Sequence, residues 1–552
     1  MPLWENLAIS AKRYPDKDAL VFFGSTLSYR QLLQQTERLA AYLQSLGVQK
    51  GDRVVLNMQN CPQLVIAHFA ILRANAVVVP VNPMNRAEEL KHYITDPDAT
   101  VALTTADLAA DLAAASNALA AGGQHSLKHL IVTHFTDTFD AQVQGDEAPP
   151  PAWRDWLLTR HPLPTLQGAQ AHTWQEALAC SAAPGPLTTG PQDLAVLPYT
   201  SGTTGLPKGC MHTHRSIMHN AISSGLWGNS TAENVALAVV PMFHITGLVS
   251  VMHTTIFLGA TLVLMPRWDR DVAGYQISKW KVTHWTNIPT MVIDLLGSPQ
   301  IEKFDLSSLT YIGGGGAAMP EAVAQRLMDQ FGLRFVEGYG LTETAAPTHT
   351  NPRQAPRRHC LGIPYIGTEA LIIDHETLQC LPTGVVGEIV VRGPQVFKGY
   401  WNQPEATAQA FTDIAGQTYF RTGDLGRMDE DGYFYMADRL KRMINASGFK
   451  VWPAEVEAFL HRHPAVQEAC VIASRDAYRG ETVKAMIVLR QSHLGQVQPE
   501  DIMAWAREHM AAYKYPRAVE FVEALPRNAS GKVMWRTLQA RQDEQDAVPA
   551  RH

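Results

Sequence analysis

The run Thr200-Ser201-Gly202-Thr203-Thr204-Gly205-Leu206-Pro207-Lys208-Gly209 packs hydroxyls, glycines and a lysine into one short stretch. Such a mixture suits a backbone wrapped around phosphate oxygens. Glycines let successive N–H groups turn inward, hydroxyls add donors, and Lys208 adds positive charge. A Walker loop is excluded, because it needs Gly-x-x-x-x-Gly-Lys-Ser/Thr, whereas here Gly202 and Gly205 stand too close and Gly209 follows the lysine. An apolar run at 194–197 precedes the stretch, and a segment able to become a helix starts at His214. The expected order is therefore strand, loop, helix, with a plain Gly/Thr linker as the bland alternative.

Other constellations could carry chemistry too. Gly313-x-Gly315-x-x-Ala318 fits the dinucleotide fingerprint, and Glu337 stands at a plausible distance for a ribose-binding acid, so a nicotinamide oxidoreductase competes on local evidence. In Gly338-Tyr339-Gly340-Leu341-Thr342-Glu343-Thr344, the aromatic could stack on a purine and Thr342 could bond a phosphate oxygen. Glu343 is a hard oxygen ligand suited to Mg2+, although a turn with an ordinary exposed glutamate explains the same residues. Asp424, in Thr422-Gly423-Asp424, is placed to accept ribose hydroxyls, while Arg439 and Lys532 are cations in loop-like settings that solvent alone would explain. Cys210-x-His212-x-His214 invites a metal, but its positions share no helical face.

These residues need elements to hold them. Ser28 with Gln31 makes a capping-box start for a helix striped by Leu32, Leu39, Leu43 and Leu46 and stopped at Gly47. A buried strand follows at 53–57, then a helix from Pro62 to Arg73 and a strand at 77–80. Such alternation implies parallel sheet with helices on its faces. Residues 136–192, with Pro149-Pro150-Pro151, read as an irregular surface excursion. Beyond Pro352 short strands with glycine turns suggest a small antiparallel barrel or sheet, and from about 438 a final unit carries a helix opened by Pro453.

The chain has 552 residues, enough for several domains, and its 46% apolar and 18% charged composition is that of a globular protein. A formal charge of −6 without a basic stripe argues against nucleic acid as the main partner. The six cysteines form no CxxC pair, which suits reduced thiols and a cytoplasmic setting. Neither a signal peptide nor a transmembrane run is expected. The composition leaves room for peripheral membrane contact and for a homodimer.

Taken in order, the motifs resemble one family over nearly the whole chain: the adenylate-forming enzymes, which include acyl-CoA synthetases, firefly luciferase and peptide-synthetase adenylation domains. The spelling of the 199–209 segment, with Pro241-Met-Phe-His244, is most similar to bacterial fatty-acyl-CoA ligases. The resemblance implies an α/β fold with an N-terminal domain over 1–437, made of two parallel α/β subdomains and a small β-barrel subdomain at about 352–437. A hinge at 438–441 and a mobile α+β lid at 442–552 would follow. It implies that Thr200, Ser201, Gly202, Thr203, Thr204, Gly205 and Lys208 hold the β- and γ-phosphates of ATP, with Thr203 and Glu343 near Mg2+. Tyr339 would stack on adenine beside Gly315, Gly316 and Ala317, Thr342 would touch the α-phosphate, and Asp424 and Arg439 would hold the ribose. Lys532 would bridge the acyl carboxylate and the α-phosphate. Lid rotation about Lys441 would withdraw it and bring Gly448 to the pantetheine arm of coenzyme A. His244 matches a position treated as a gate to the acyl pocket, although a lone histidine before an apolar stretch is more often structural.

The resemblance thus points to an AMP-forming ligase joining a medium- or long-chain fatty acid to coenzyme A. An aryl-CoA ligase of the same fold is the nearest rival, and the oxidoreductase is a distant one. An adenylation domain of the peptide-synthetase kind is disfavoured by a sequence ending soon after Lys532. Many relatives have Ala-Pro where this chain has Ala317-Ala318. The glycines before it suggest unfilled volume at the pocket floor, with Trp227, His244 and Ile288 near the acyl wall.

Overall fold

Ser28 caps the helix Tyr29–Ser45 as its spacing predicts. Its Oγ accepts from the Gln31 N–H at 3.3 Å, and the Gln31 side chain accepts from the Ser28 N–H at 2.8 Å. The strand Arg53–Asn57, the helix Pro62–Arg73 and the strand Val77–Pro80 form as expected. The computed structural model describes residues 1–200, 206–315, 319–439, 442–446, 449–476, 480–511, 514–527 and 533–547. They form two compact units, Met1–Glu369 with Val391–Thr412, and Ala370–Val390 with Asp413–His552.

The first unit contains two large sheets. The seven-stranded one runs His212–Thr213, Leu194–Val196, Val77–Pro80, Arg53–Asn57, Val101–Thr105, His129–Thr133, Gln170–Thr173. Its pairs are parallel except the first. The nine-stranded sheet has a parallel centre built from Tyr311–Gly314, His284–Asn287, Val235–Ala238, Thr261–Leu264 and Asp18–Phe22. Phe335–Leu341 extends it in parallel, and Ala346–Thr350 then turns back antiparallel.

Helices fill both faces of both sheets. Pro62–Arg73 has no polar side, since every residue but Arg73 is buried. It lies in a core that joins Leu20 and Leu262 of one sheet to Val54 and Leu103 of the other. Each such Leu, Ile or Phe contributes about 1.5–3 kcal/mol by leaving water. Helices Arg270–Trp280, Pro289–Leu296 and Glu321–Phe331 cover the outer face of the larger sheet around Trp285 and Ile312. Helices Ala87–Thr95 and Ala109–Ala121 cover that of the smaller sheet.

The segment 136–192 departs from the expected surface excursion. It contains the helix Pro151–Leu158, the edge strand Gln170–Thr173 and the helix Trp174–Leu178, whose Trp174 is buried. Pro151 opens its helix at the first turn, where a missing N–H costs nothing. Thr173 and Glu176 form a capping box for the next.

The second unit holds a sheet containing Gly387–Arg392, Gln417–Met428 and Phe434–Arg439. It also holds a separate sheet in the order Phe449–Val451, Ile444–Ala446, Gly480–Leu489, Val466–Asp476, with Ala518–Phe521 pairing Gly480–Leu489 in parallel. Helices Pro453–Leu460 and Pro499–His509 close its core. Among the described residues no helix is long and apolar enough to cross a membrane.

The ends of the central strands approach one another too closely for side chains. A Cβ on Gly314 would lie 1.8 Å from the Asn287 carbonyl oxygen, and one on Gly315 would lie 2.3 Å from that of Gly338. The glycines therefore admit neighbouring backbone and do not leave the pocket floor unfilled, as the sequence suggested. Gly314→Ala should force these strands apart and cost about 3 kcal/mol. A thermal midpoint unchanged from wild type would contradict this packing account.

Candidate active site

The phosphate-loop sequence sits at the tip of a hairpin. Lys208–Gly209 pairs antiparallel with Tyr199–Thr200, in the register Lys208 to Thr200 and Gly209 to Tyr199. His212–Thr213 then pairs back onto Leu194–Val196 before the helix His214–Trp227 begins. The expected strand and helix flank the sequence as Leu194–Val196 and His214–Trp227, with the short paired strands between them. The N–H groups at the start of that helix are already used: His214 donates to Asp193 O, Arg215 to Pro191 O and Ser216 to Thr213 Oγ1. Neighbouring anchors fix the hairpin stem. Tyr199 OH donates to Asp96 at 2.6 Å, and His92 Nε2 donates to Pro207 O at 2.7 Å. The tip, with Ser201, Gly202, Thr203, Thr204 and Gly205, lies outside the described residues.

Thr342 and Glu343 occupy a second hairpin tip, a single 3-10 turn Thr342–Thr344 between Phe335–Leu341 and Ala346–Thr350. Glu343 is only 8% exposed, so its carboxylate needs partners. Tyr400 OH donates to Glu343 Oε1 at 2.9 Å, and the Phe397 N–H donates to the Glu343 carbonyl at 2.8 Å. Burial first, then the Glu343 charge, push the Tyr400 hydroxyl far above its usual pKa, so it stays a donor. The same ring lies 5.1 Å from Lys208 Nζ, joining the lysine of one hairpin to the carboxylate of the other. From the opposite side His212 Nε2 donates to the Thr342 carbonyl at 2.6 Å. Burial lowers His212 to about 4, so it is neutral and committed to this bond. Cys210 and His214 are buried as well, and His214 Nδ1 accepts from the Leu3 N–H at 3.1 Å. The Cys210, His212 and His214 set is structural.

Among the described residues no group of three or more His, Cys, Asp or Glu side chains is arranged to hold a metal ion. Mg2+ does not need such a cage; it favours one or two carboxylates completed by phosphate oxygens and water. A buried carboxylate beside a phosphate-loop stem fits that requirement, and Glu343 is the described residue that would supply the protein oxygen.

Tyr339 is buried, with its ring 5.8 Å from that of His349. Glu337 does not serve as a ribose acid. Its Oε1 accepts from the Met319 N–H at 2.9 Å and its Oε2 from the Cys360 N–H at 3.1 Å, so both oxygens staple backbone. His244 is exposed, and its Nδ1 accepts from the Thr246 N–H at 3.4 Å. Trp227 donates Nε1–H to the Asn351 carbonyl at 2.9 Å and packs 5.0 Å from the Tyr365 ring, while Ile288 is half-buried.

In the second unit, Asp424 on Gln417–Met428 is buried and stands directly opposite Arg439 of Phe434–Arg439 in the antiparallel register. The two residues assigned to a ribose are thus cross-strand neighbours. Asp438, next to Arg439, accepts from the Ala454 N–H at 2.6 Å. Gly316, Ala317, Lys441, Gly448 and Lys532 lie outside the described residues.

Sequence reasoning missed Tyr400 and Asn220 and weighed His212 only as a metal ligand, yet each of the three holds the Glu343 hairpin. The glycine and tyrosine of Gly399-Tyr400 were visible, but nothing local links them to Glu343. Tyr400→Phe keeps the ring under Lys208 and removes only the hydroxyl. It should weaken divalent-ion binding about tenfold, measured as Mn2+ titration with ATP present, and cost roughly 1–3 kcal/mol of stability. Wild-type values on both counts would show that the hydroxyl does not hold the carboxylate.

Comparison with known proteins finds likenesses over almost the whole chain. Residues 7–401 match the AMP-binding enzyme family, and residues 455–532 match the AMP-binding enzyme C-terminal domain. A long-chain-fatty-acid–CoA ligase of Bacillus subtilis (strain 168) is 38% identical, over 96% of this chain and 93% of the relative. A feruloyl-CoA synthase of an Amycolatopsis species is 33% identical, over 95% and 96%. The crystal structure of ATP-bound MatB from Rhodopseudomonas palustris superposes with a TM-score of 0.80 at 27% identity, covering 98% of this chain and 99% of that one. The chain therefore belongs to the AMP-binding enzyme family, whose two models span its body and its C-terminal unit.

Proposed function

We propose that this protein is an ATP-dependent acyl-CoA ligase that activates a medium- or long-chain fatty acid as its acyl-adenylate and transfers the acyl group to coenzyme A. The observation that carries it is the full-length likeness to the Bacillus subtilis long-chain-fatty-acid–CoA ligase. Residues of the right chemistry stand at each family position in the sequence.

In the first step a carboxylate oxygen of the acid bonds to the α-phosphorus of ATP, and the bond from that phosphorus to pyrophosphate breaks. Both reactants are anions, so the barrier is charge repulsion, and positioned cations are the remedy. We assign the 200–209 loop with Lys208 to the departing pyrophosphate, Thr342 to the α-phosphate and Lys532 to the bridge between the acid and that phosphate. Tyr339, with Gly315, Gly316 and Ala317, is assigned to adenine, and Asp424 and Arg439 to the ribose. Glu343 and Thr203 are assigned to hold Mg2+, which would supply charge neutralisation on the phosphates. In the second step the coenzyme A sulfur attacks the acyl carbon and AMP leaves, with Gly448 giving passage to the pantetheine arm after a turn about Lys441. His244 is assigned to the acyl entrance. All six cysteines are free thiols, in keeping with a cytoplasmic enzyme.

The feruloyl-CoA synthase likeness at 33% identity supports a second reading, an aryl-CoA ligase. AMP release with a panel of acids, with and without coenzyme A, separates them. The expected result is preference for octanoate to palmitate; preference for benzoate- or cinnamate-like acids would replace the fatty-acid reading by the aryl one. Lys532→Ala should abolish adenylation yet still convert supplied acyl-adenylate to thioester. Equal loss of both half-reactions would remove the catalytic role from Lys532.

A further inference from the structure

The tip that carries Thr342 and Glu343 closes through two consecutive left-handed alanines. Ala345 has φ 51° and ψ 44°, and Ala346 has φ 78°. L-residues with a Cβ avoid this region, and such conformations persist only where the surroundings over-determine them. Gly340 shows how tightly the hairpin closes: a Cβ there would lie 1.9 Å from the Ala346 carbonyl oxygen. The bonds already described act on the Thr342 and Glu343 side of the tip. On the descending side the Thr344 hydroxyl donates to the Ala346 carbonyl at 2.9 Å, and one buried amide reaches the carbonyls around it.

Asn220 is fully buried in the helix His214–Trp227. The two N–H groups of its Nδ2 are shared among three carbonyls, those of Thr344 at 3.1 Å, Ala345 at 2.8 Å and Pro347 at 3.0 Å. Those carbonyls converge because the chain is left-handed between them; a right-handed turn would splay them. A side-chain amide is the neutral group that offers two N–H donors from one nitrogen. The Asn220 carbonyl oxygen has no protein partner, so the residue is placed for its donors at the expense of its acceptor.

We propose that Asn220 is a positioning residue for acid adenylation. It locks the left-handed Ala345-Ala346 turn and thereby fixes where Thr342 and Glu343 meet the nucleotide and its divalent ion. This rests on the acyl-adenylate reading above. Without the clamp, Ala345 and Ala346 relax toward right-handed backbone, and the Thr342–Thr344 turn swings with them. Glycine at both positions adopts the left-handed region without steric cost, so it substitutes for the clamp.

The test is a rescue experiment. Asn220→Ala should lower the rate of acid-dependent pyrophosphate release about thirtyfold and raise KM for Mg2+, since small misplacements of positioning groups cost up to about 100-fold. Mn2+ binding in the presence of a non-hydrolysable ATP analogue should weaken in parallel. Adding Ala345→Gly and Ala346→Gly to Asn220→Ala should restore most of the loss in both measurements. A folded Asn220→Ala protein with wild-type rate and ion affinity overturns the proposal, as does a loss that the glycines leave untouched. If Asn220→Ala is recovered only as aggregate, Asn220→Ser, with one donor, carries the same comparison with and without the glycines. Wild-type protein run alongside separates the two claims: its inactivity sinks the adenylation reading, whereas an active wild type with an indifferent Asn220 variant sinks only the clamp.

Discussion

Burying the Glu343 carboxylate is the interaction on which the rest of the described site depends. An ionised group taken out of water must be bonded or paired, and leaving it unsatisfied would cost more than a typical domain can spare. The fold answers with the Tyr400 hydroxyl on one carboxylate oxygen, and the Phe397 N–H separately anchors the backbone carbonyl of Glu343. Segments far apart in sequence are drawn together as a result. The 397–401 segment runs beside 209–211, with the Met211 N–H donating to Gly399 O, Lys398 N–H to Met211 O and Trp401 N–H to Gly209 O. That pairing brings Lys208 over the Tyr400 ring. Carboxylate and lysine are thereby fixed with respect to one another before any nucleotide arrives, which is the preorganisation that electrostatic catalysis requires.

Placing the phosphate loop on a hairpin has a physical consequence. A loop seated on a helix N-terminus would hold phosphate with an oriented dipole. Here the helix His214–Trp227 spends its N-terminal donors on Asp193, Pro191 and Thr213. In the proposed role, retention of phosphate would fall to the hydroxyls and amides of the 200–209 sequence and to Lys208. A group that must hold pyrophosphate during the reaction and surrender it afterwards is served by such local contacts.

Much of this was legible in the residues. The capping box at Ser28 and Gln31, the helix opened by Pro62 and the strand at 53–57 appear where periodicity and punctuation put them, because those signals are local. The helix and edge strand within 136–192 were hidden by a high proline and glutamine content, although Pro151 and the Thr173/Glu176 spacing marked them. The Gly313–Gly315 run was misjudged for a different reason. Composition shows that a side chain is absent but not what fills its place, and here the carbonyls of Asn287, Val336 and Gly338 do. Glu337 failed as a ribose ligand on the same grounds, since the backbone amides that occupy it come from Met319 and Cys360. Tyr400 and Asn220 act across long sequence separations, and no window along the chain contains both partners.

The central claim is that the acid attacks the α-phosphorus of ATP and releases pyrophosphate before coenzyme A takes part. Isotope exchange between labelled pyrophosphate and ATP, with palmitate and Mg2+ present and coenzyme A absent, measures that step directly. The account predicts exchange that depends on the acid and on the divalent ion. Absence of exchange, or formation of ADP and phosphate in its place, would contradict it.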